Sequence, residues 1–284
     1  MATFTNQALL NYNGSVTPSN IVTGEITEIL TATKTALADC YFGDCELTYV
    51  ISLVNSGITS LSGLSVNDNL GAYDFNTTTL TPLTYVENSA SLFINGVQQS
   101  SPTESLTNGV TFSNITIPAL SNAMILYRVS ANEFAPLPTG STITNTATIS
   151  GDGLINDVVA TDTLDVCANP NLEITKALSP SVINDNGQIT YTITVLNYGN
   201  TATVATDNLF VSDTFNPILN PITVSLNGQT LTEPTDYTYD TTTGQFTTTP
   251  GVITVPATTY TQDTTTGVWT TTPGTSILTI TGTV

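Results

Sequence analysis

Basic residues are nearly absent from this chain, and histidine is absent altogether. Three Lys and Arg residues stand against 22 Asp and Glu residues, which gives a formal net charge of −19 at pH 7. Nucleic-acid binding needs Lys and Arg to neutralise phosphates, so this balance argues against a nucleic-acid partner. It argues equally against binding to an anionic membrane surface. We expect the acidity to keep the protein soluble instead.

The absence of His also narrows the chemistry that the chain can support. His is the commonest catalytic base and the commonest transition-metal ligand. No nucleophile–base pair, glycine-rich phosphate loop or metal-ligand set is present in the sequence. We therefore expect no cofactor, no metal centre and no enzyme that turns over a substrate.

Cysteine is scarce as well, and the three residues cannot all pair within one chain. Cys40 and Cys45 flank a short Tyr-Phe-Gly-Asp loop and could close a hairpin disulfide, while Cys167 lies between the two repeats described below. The alternative is that all three thiols stay reduced. Their spacing is not that of a zinc site.

Long apolar runs are missing too. No stretch is long and apolar enough to span a membrane, and the N terminus lacks the basic region and apolar core of a signal peptide. We therefore expect a protein that is made in the cytoplasm without an export signal. Nor does any segment have the pattern of a long amphipathic helix.

What the chain does have is the composition of a β protein. Val, Ile, Tyr and Thr are abundant, and 14 Pro and 19 Gly residues suit short strands joined by many turns. Alternation is clear in segments such as 189–195, where Ile, Tyr, Ile and Val alternate with Thr. The fold class predicted is all-β.

Two blocks of the sequence repeat each other. Lys34 and Lys176 are separated by the same interval as Asn55 and Asn197. Asp68 and Asp213 follow at a slightly larger interval. Repeats of this size predict two β-sandwiches in series, the first over residues 23–166 and the second over residues 167–284, after an N-terminal segment of residues 1–22.

Turn signals support strands in both blocks. Asn95-Gly96 and Asn227-Gly228 occupy equivalent places and are typical of two-residue hairpin turns. The Thr-rich stretch holds two similar motifs, residues 240–244 and 263–267, which could be low-complexity disorder. We favour hairpins there because Tyr, Phe and Trp residues flank both motifs.

The closing strand of the first repeat has its counterpart at the head of the chain. Residues 142–149 end the first repeat, whereas the second repeat stops at Val284 before any such segment. Residues 3–10 carry the same pattern, and in it Asn6 takes the place of Asn145. We therefore predict that the second sandwich lacks its last strand and that residues 2–12 of another copy supply it. The alternatives are a frayed tail, or a strand that folds back onto the first sandwich.

Polar residues recur on strand faces that are otherwise apolar. Residues two apart on a strand share a face. By this rule six polar side chains point toward a core: Lys34, Asp68, Asn145, Lys176, Asp213 and Asn6. Lys34, for example, shares its face with Leu30 and Ala36. The alternative is a surface Lys in a salt bridge with its Asp in each repeat.

A buried Lys beside a buried Asp and Asn is a reactive set. Burial lowers the pKa of Lys and raises that of Asp, so both groups tend to neutralise. A neutral amine can attack the Asn side-chain carbon while the Asp stabilises the intermediate and moves protons. Ammonia leaves and an isopeptide bond remains, in a single turnover promoted by proximity.

The motifs that carry these residues resemble a known family. Leu-x-Ile-Thr-Lys, Tyr-Thr-Ile-Thr-Val-x-Asn-x-Gly, Val-Ser-Asp-Thr-Phe and Thr-Asn-Thr-Ala-Thr resemble a bacterial surface repeat, the domain of unknown function number eleven. The family's Leu-Pro after the Asp is here Asn-Leu or Thr-Phe. The resemblance implies an immunoglobulin-like β-sandwich in a stalk or wall. It supports Lys34–Asn145 with Asp68, and Lys176 with Asp213 and the Asn6 of a neighbouring copy.

The chain is also similar to the major subunits of clostridial spore appendages, as a group. That similarity implies a location on the spore surface or outside the cell, with assembly inside the mother cell and release by lysis. The expected partner is the chain itself in a head-to-tail homopolymer, with lateral association left open.

Two other functions fit parts of the sequence. A surface adhesin or ligand-binding stalk module is the first alternative, because aromatic pairs such as Tyr41-Phe42 could bind carbohydrate or collagen. The second is a calcium loop at residues 184–187, although its ligand number is low.

Overall fold

The computed structural model describes residues 2–184 and 186–284. Within those ranges the chain forms 27 strands and one three-residue 3-10 turn (Ala205–Asp207), and no α-helix. The all-β prediction is therefore confirmed. In the same part of the chain there is also no helix with the length and hydrophobicity needed to cross a membrane.

Backbone contacts divide the chain into two compact units. The first holds residues 2–132 and 143–164, and the second holds residues 133–142 and 165–284. Each unit contains an antiparallel β-sandwich.

Four strands at the N terminus pair only with one another within the described residues. They are β1 (Ala2–Asn6), β2 (Leu9–Tyr12), β3 (Ser15–Pro18) and β4 (Val22–Ile26). β1 pairs with β4, and β2 pairs with β3. We call residues 2–26 the N-terminal ribbon. Its side chains are exposed almost throughout, so it adds nothing to the core of the sandwich that follows it.

Thirteen strands make up the first sandwich. They are β5 (Leu30–Ala36), β6 (Glu46–Asn55), β7 (Leu61–Asp68), β8 (Tyr73–Phe75), β9 (Thr78–Leu80), β10 (Leu83–Tyr85), β11 (Ser91–Ile94), β12 (Val97–Gln98), β13 (Thr103–Ser105), β14 (Val110–Ile117), β15 (Ser121–Ala131), β16 (Thr142–Ser150) and β17 (Val158–Asp165). One sheet has the order β12-β11-β15-β6-β5, with β10 also on β15, and the other has the order β13-β14-β7-β16-β17. β8 and β9 form a separate pair.

The core of the first sandwich follows the strand alternation. Tyr49, Ile51 and Leu53 of β6 are fully buried. From the opposite sheet, Val66 of β7 and Ile149 of β16 are equally inaccessible. Burying aliphatic and aromatic side chains of this size stabilises a domain by roughly 1.5–3 kcal/mol each, so this face holds the two sheets together.

Ten strands make up the second sandwich. They are β18 (Leu172–Ser179), β19 (Gln188–Asn197), β20 (Ser212–Thr214), β21 (Ile222–Leu226), β22 (Gln229–Thr230), β23 (Tyr237–Tyr239), β24 (Gln245–Thr248), β25 (Thr259–Gln262), β26 (Trp269–Thr272) and β27 (Gly274–Thr283). A five-stranded sheet has the order β18-β19-β27-β21-β22, and a three-stranded sheet has the order β20-β24-β23. Their shared core includes Ile193, Phe215, Phe246 and Ile280.

The hairpins predicted from turn signals are confirmed. Asn95-Gly96 joins β11 to β12, and Asn227-Gly228 joins β21 to β22. Both Thr-rich motifs are also hairpin turns, between β23 and β24 and between β25 and β26. In each, an Asp carboxylate (Asp240 or Asp263) accepts N–H bonds from the Thr residues two and three positions later, which closes the turn.

The hairpin disulfide between Cys40 and Cys45 is wrong. Cys45 is a buried free thiol, and the N–H of Phe42 donates to its Sγ at 3.4 Å. Burial raises the pKa of this thiol, which keeps it protonated and unreactive at neutral pH.

Candidate functional site

Three strands bring the first set of polar residues into the core of the first sandwich. Lys34 lies on the edge strand β5, and Asp68 and Asn145 lie on β7 and β16 of the facing sheet. Relative exposures are 4% for Lys34 and 0% for the other two. A surface salt bridge, the alternative interpretation of this pair, is therefore wrong for Lys34.

A compact hydrogen-bond network joins Lys34 to Asp68. Lys34 Nζ donates to Asp68 Oδ2 and, at 2.5 Å, to the hydroxyl of Tyr127. That hydroxyl donates in turn to the same carboxylate oxygen. Asp68 Oδ1 accepts the N–H of Leu70 at 2.8 Å, so both carboxylate oxygens are held in place.

Asn145 presents its amide to the same part of the core. Its Oδ1 accepts the N–H of Gly71 at 3.1 Å, whereas its buried Nδ2 has no hydrogen-bond partner among the residues that the structure describes. A buried amide nitrogen without a partner costs free energy that the fold must offset elsewhere. The backbone N–H on the carbonyl oxygen is also a donor that would stabilise negative charge on that oxygen during attack on the side-chain carbon.

Burial governs the ionisation of this cluster. Desolvation lowers the pKa of Lys34, and the charges of Asp68 and, more weakly, Asp162 oppose that shift. Desolvation likewise raises the pKa of Tyr127 and of Tyr49, which keeps both phenols neutral. The net effect is a lowered pKa for Lys34, which favours the neutral amine, and the neutral amine is the nucleophilic form.

Aromatic rings enclose the amine. The Lys34 Nζ lies 4.5 Å from the ring centroid of Tyr49 and 5.3 Å from that of Tyr127. The two rings stack on each other at 5.9 Å. They exclude water from the amine, which strengthens every electrostatic interaction within the cluster.

The lowered pKa of Lys34 predicts a pH dependence of stability. We consider a Cys45→Ala/Asn145→Ala chain, in which no crosslink can form and no buried thiol titrates. Between the folded-state pKa of Lys34 and its ordinary value of 10.5, the unfolded chain binds more protons than the folded chain. The free energy of unfolding of the first unit should therefore rise with pH in that window.

Tyr49 and Tyr127 determine the pH above which the free energy of unfolding stops rising. Their folded-state pKa values lie above the ordinary value of 10.0, so the unfolded chain ionises first and stability falls at higher pH. Urea midpoints measured from neutral to strongly alkaline pH should pass through a maximum. A steady fall from neutral pH upward would contradict the lowered pKa of Lys34.

The second set of residues is only partly assembled within one chain. Lys176 on β18 donates to Asp213 on β20, and its Nζ lies 4.4 Å from the ring centroid of Tyr191. The two side chains are 42% and 17% exposed, in contrast to their buried counterparts in the first unit. Asn6 is exposed on β1 of the N-terminal ribbon and is not part of the second sandwich.

The reason for this exposure is an unpaired strand edge. In the first unit β7 lies between two partners, so that Asp68 is opposite Val110 of β14 on one side and Ala147 of β16 on the other. In the second unit β20 pairs with β24, where Asp213 is opposite Phe246. Within the described residues, no strand occupies the other edge of β20.

The apolar residues next to that edge are uncovered as well. Leu172, Ile174 and Leu178 of β18 are 40%, 58% and 48% exposed, whereas Leu30 and Ala36 of β5 are 2% and 8% exposed. Together with Lys176, these three residues line the face that we call the open groove. An apolar face of this kind beside a free sheet edge is typical of a site that binds another strand.

The sequence analysis missed the aromatic and acidic surroundings of Lys34. Tyr49 has its counterpart in Tyr191, at the same interval that separates the two lysines, so a comparison of the repeats could have found it. Tyr127, on β15, lies opposite Tyr49. The residue opposite Tyr191 is Ile280, so a comparison of the repeats gives no tyrosine that corresponds to Tyr127. Asp162, on β17, accepts the N–H of Ala36 at 3.0 Å and gave no sequence signal.

Asp185, at the centre of the 184–187 loop suggested for calcium, lies outside the described residues. Across the residues that the structure does describe, no group of three or more His, Cys, Asp or Glu side chains could hold a metal ion.

Comparisons with known proteins identify no family for this chain. No protein-family model matches the chain, and no curated protein matches it. Among solved structures, the chain is similar to the major pilin subunit BcpA of Bacillus cereus, at 12% identity and a TM-score of 0.38 over 95% of this chain and 70% of that one. It is also similar to the pilus backbone RrgB of Streptococcus pneumoniae, at 10% identity and a TM-score of 0.34 over 86% and 55% of the two chains.

An enzyme shows a similarity of the same order. Part of a family 123 glycoside hydrolase from Clostridium perfringens matches at 10% identity and a TM-score of 0.32, over 49% of this chain and 27% of that one. The match thus spans less than two thirds of the hydrolase and of RrgB. At identities and TM-scores this low, the likenesses say nothing about activity, assembly or binding in this chain.

Proposed function

We propose that this protein is a structural subunit of an extracellular filament or ribbon of the spore-appendage type. Copies join head to tail when the N-terminal segment of one completes the second sandwich of the next. Autocatalytic Lys–Asn isopeptide bonds then crosslink the fibre within and between subunits. The protein performs no other catalysis and uses no cofactor.

The observation that carries the proposal is the free edge of β20. In the first sandwich the same edge, that of β7, is covered by β16, which also carries the buried Asn145. The segment of this chain that matches β16 is residues 3–10, and it is exposed. An exposed copy of the closing strand and an open place for it on the same molecule favour exchange between molecules.

The bond within the first sandwich follows from the buried cluster. Lys34 Nζ attacks Asn145 Cγ, and Asp68 accepts the proton that the amine loses. The Gly71 N–H stabilises the oxygen of the tetrahedral intermediate. Asp68 returns the proton to Nδ2, the Cγ–Nδ2 bond breaks, and ammonia leaves. The Nζ–Cγ amide that remains conserves all atoms apart from the one ammonia released.

The bond between copies uses the same three residue types. Asn6 of one copy is presented to Lys176 of the next, and Asp213 takes the part of Asp68. Residues 8–11 then pair with β20, and the donated strand buries the open groove. Because the amine becomes buried only after docking, the crosslink follows assembly rather than preceding it.

The geometry of such a contact dictates an open polymer. Donor and acceptor are different surfaces of the molecule, so each copy that binds leaves a fresh donor and a fresh acceptor at the two ends. The assembly is a homopolymer without nucleic acid or membrane partners. The spore surface or the extracellular space is the location that we propose for it.

Boiling in SDS with reductant tests the covalent polymer. Assembled wild-type protein should give a ladder of multimers, because isopeptide bonds survive both treatments. Asn6→Ala protein should still form fibres but should migrate at monomer mass after boiling. Asn11→Ala is the matched control, since Asn11 lies on the same ribbon with its side chain on the opposite face.

Two results would count against the proposal in different ways. Monomer alone from boiled wild-type fibres would eliminate the bond between copies and leave strand donation intact. A wild-type chain that stays monomeric at every concentration and binds a carbohydrate or collagen array would instead favour the adhesin alternative.

The bond within the first sandwich has a separate signature. After reduction of its cysteines, the intact mass of a wild-type monomer should be lower than the sequence mass by one ammonia. An Asn145→Ala chain should have its full sequence mass, and so should a Lys34→Met chain. A wild-type monomer at full sequence mass after prolonged incubation would refute this bond.

A further inference from the structure

The N-terminal ribbon is one continuous β-hairpin. Asn13-Gly14, with φ values of 48° and 76°, forms the tip that joins β2 to β3. The N–H of Ser19 donates to the carbonyl of Ala8 at 2.8 Å and links the β2–β3 ladder to the β1–β4 ladder. The register changes by one residue between the two ladders, which is a β-bulge in the second strand.

This ribbon repeats the closing hairpin of the first sandwich. There, hydroxyl pairs Thr144–Thr163 and Thr146–Thr161, at 3.0 and 3.2 Å, fix the register of β16 against β17. With Asn6 matched to Asn145, Thr5 corresponds to Thr144, and its partner Thr23 to Thr163. β1 and β4 are therefore paired in the register of β16 and β17.

The second strand of the ribbon also has a sequence counterpart. Thr23-Gly-Glu-Ile26 corresponds to Thr163-Leu-Asp-Val166 at the end of the first repeat. In each case a short link leads directly into the strand that bears the lysine, β5 or β18. The chain thus begins with both of the last two strands of a sandwich, rather than with one.

The two faces of the ribbon differ sharply. Opposed pairs on one face are Phe4 with Gly24 and Asn6 with Val22, and Ile26 lies on the same face. Phe4, Val22 and Ile26 are 51%, 54% and 39% exposed. The other face is polar: Thr3, Thr5, Thr23 and Glu25. In the first sandwich the matching outward residues Thr144 and Thr163 face solvent, whereas Ile143 and Leu164 are buried.

Compared with β16 and β17, the ribbon has a larger side chain on its first strand, Phe4, and none at the opposed position on its second strand, Gly24. The ring of Phe4 lies across Gly24, so closely that a Cβ there would be 2.4 Å from the ring. The same register puts Ile143 opposite Leu164 in the first sandwich. One large and one absent side chain thus fill the space of two aliphatic ones, and each residue suits its place only when the two strands stay paired.

The acceptor lacks two strands rather than one. The sheet that contains β7 has the order β13-β14-β7-β16-β17, and the corresponding sheet of the second unit has the order β23-β24-β20. We propose that a neighbouring copy donates its N-terminal ribbon as a preformed two-stranded hairpin, in which β1 and β2 take the place of β16 and β3 and β4 take that of β17. This inference rests on the proposed function and names the docking unit that the function uses.

A difference between the two crosslink sites follows. Asp162 of β17 faces the first site, where its charge acts on Lys34 and its carboxylate accepts the N–H of Ala36. The ribbon residue in that place, opposite Asn6, is Val22. The site within a chain therefore has two carboxylates near the lysine, and the site between chains has one, Asp213.

A disulfide that locks the ribbon tests the proposal. Thr5→Cys/Thr23→Cys places a cysteine on each strand at an opposed pair on the polar face, where antiparallel geometry brings Cα atoms within disulfide range. The oxidised and reduced forms of this one protein are compared by light scattering and by electrophoresis after boiling in SDS. Each chain with only one of the two added cysteines, and the wild-type chain, receive the same oxidation and reduction as controls for the native cysteines.

The hairpin proposal and the proposed function fail differently in this experiment. If the paired hairpin docks, the oxidised form should assemble to within about twofold of the reduced form and of wild type. An oxidised form that stays monomeric while the reduced form assembles would show that one strand is stripped from the ribbon and docks alone. Failure of wild type and of both forms to assemble would refute the proposed function itself.

A substitution on the second strand gives an independent result. Gly24→Asp places a charge on the face that would be buried and displaces the ring of Phe4, so fibre yield should fall at least tenfold. Thr23→Asp, its neighbour on the polar face, should assemble like wild type. Single-strand donation leaves both residues in a linker, and equal assembly of the two variants would overturn the hairpin proposal.

Discussion

A chain that lacks residues 2–12 is expected to remain monomeric while both sandwiches stay folded. The deleted strands β1 and β2 pair only within the N-terminal ribbon, so neither core loses a side chain. What is lost is the donor that would pair with the free edge of β20. Thermal unfolding of the sandwiches should shift little, whereas light scattering should show no fibres under conditions in which wild type assembles.

The expected size of the effect follows from the side chains that docking would bury. Phe4 and Leu10 are 51% and 68% exposed, and their counterparts Ile143 and Ile149 are 3% and 0% exposed. Burial of a large apolar side chain contributes roughly 1.5–3 kcal/mol. Two such side chains change an association constant by at least about a hundredfold, before any ladder hydrogen bond is counted.

Point substitutions distinguish the loss of the donor face from the effect of shortening the chain. Leu10→Asp places a charge on the face that docks and should reproduce the deletion. Asn11→Asp adds the same charge at the next residue, on the opposite face, and should assemble normally. Fibres of normal yield from the deleted chain would defeat strand donation, and equal behaviour of the two point variants would show that the face is unimportant.

Strand alternation was the most informative feature of the sequence. Counting residues by twos along β5, β7 and β16 is enough to put Lys34, Asp68 and Asn145 on apolar faces, and all three are buried in the structure. The period of two is a property of the extended backbone and needs no knowledge of neighbouring strands. It therefore holds wherever a strand has one face on a core.

The surroundings of the lysine could not be predicted in the same way. Tyr127 reaches Lys34 from β15, and Asp162 reaches the cluster from β17. Which strand lies beside which is decided by the sheet order, and local sequence does not encode it. Only a feature common to both repeats would have given a signal, and Tyr127 has Ile280 as its counterpart.

The N-terminal hairpin was predictable and was missed. Asn13-Gly14 is the same turn signal that was used at Asn95-Gly96 and Asn227-Gly228. The match between residues 3–10 and the closing strand accounts for the first strand of this hairpin only. The Thr-Gly-Glu-Ile segment at residues 23–26 carries the second half of that match.

Replacement of Asp68 and of Asp213 is expected to separate fold stability from crosslinking between copies. Both carboxylates contact a lysine, but the pair in the first unit is fully buried and the pair in the second is partly exposed. In an Asn145→Ala chain, where no bond can form, adding Asp68→Ala breaks a fully buried pair and leaves the Lys34 side chain without its main counter-charge and hydrogen-bond acceptor. That loss should lower the free energy of unfolding by about 3–5 kcal/mol.

Asp213→Ala should cost less than about 1 kcal/mol, because water still solvates much of the Lys176 side chain when the pair is broken. Asp213→Ala is expected instead to prevent the covalent bonds between copies. Fibres should form in normal yield, since the free edge of β20 and the open groove are retained, but they should dissociate to monomers on boiling in SDS. Asp74→Ala, which removes an exposed carboxylate on β8, should change neither stability nor crosslinking.

Under the proposed function, the two aspartates would take part in the same chemistry at different stages. Asp68 is buried within its own chain, so it is expected to contribute to stability before any bond forms. Asp213 is partly exposed in the single chain, so the proposal expects the reaction at Lys176 to wait until a neighbouring copy covers the pair. Boiling-resistant ladders from Asp213→Ala fibres would show that docking alone activates the lysine, and the role proposed for this carboxylate would then be wrong.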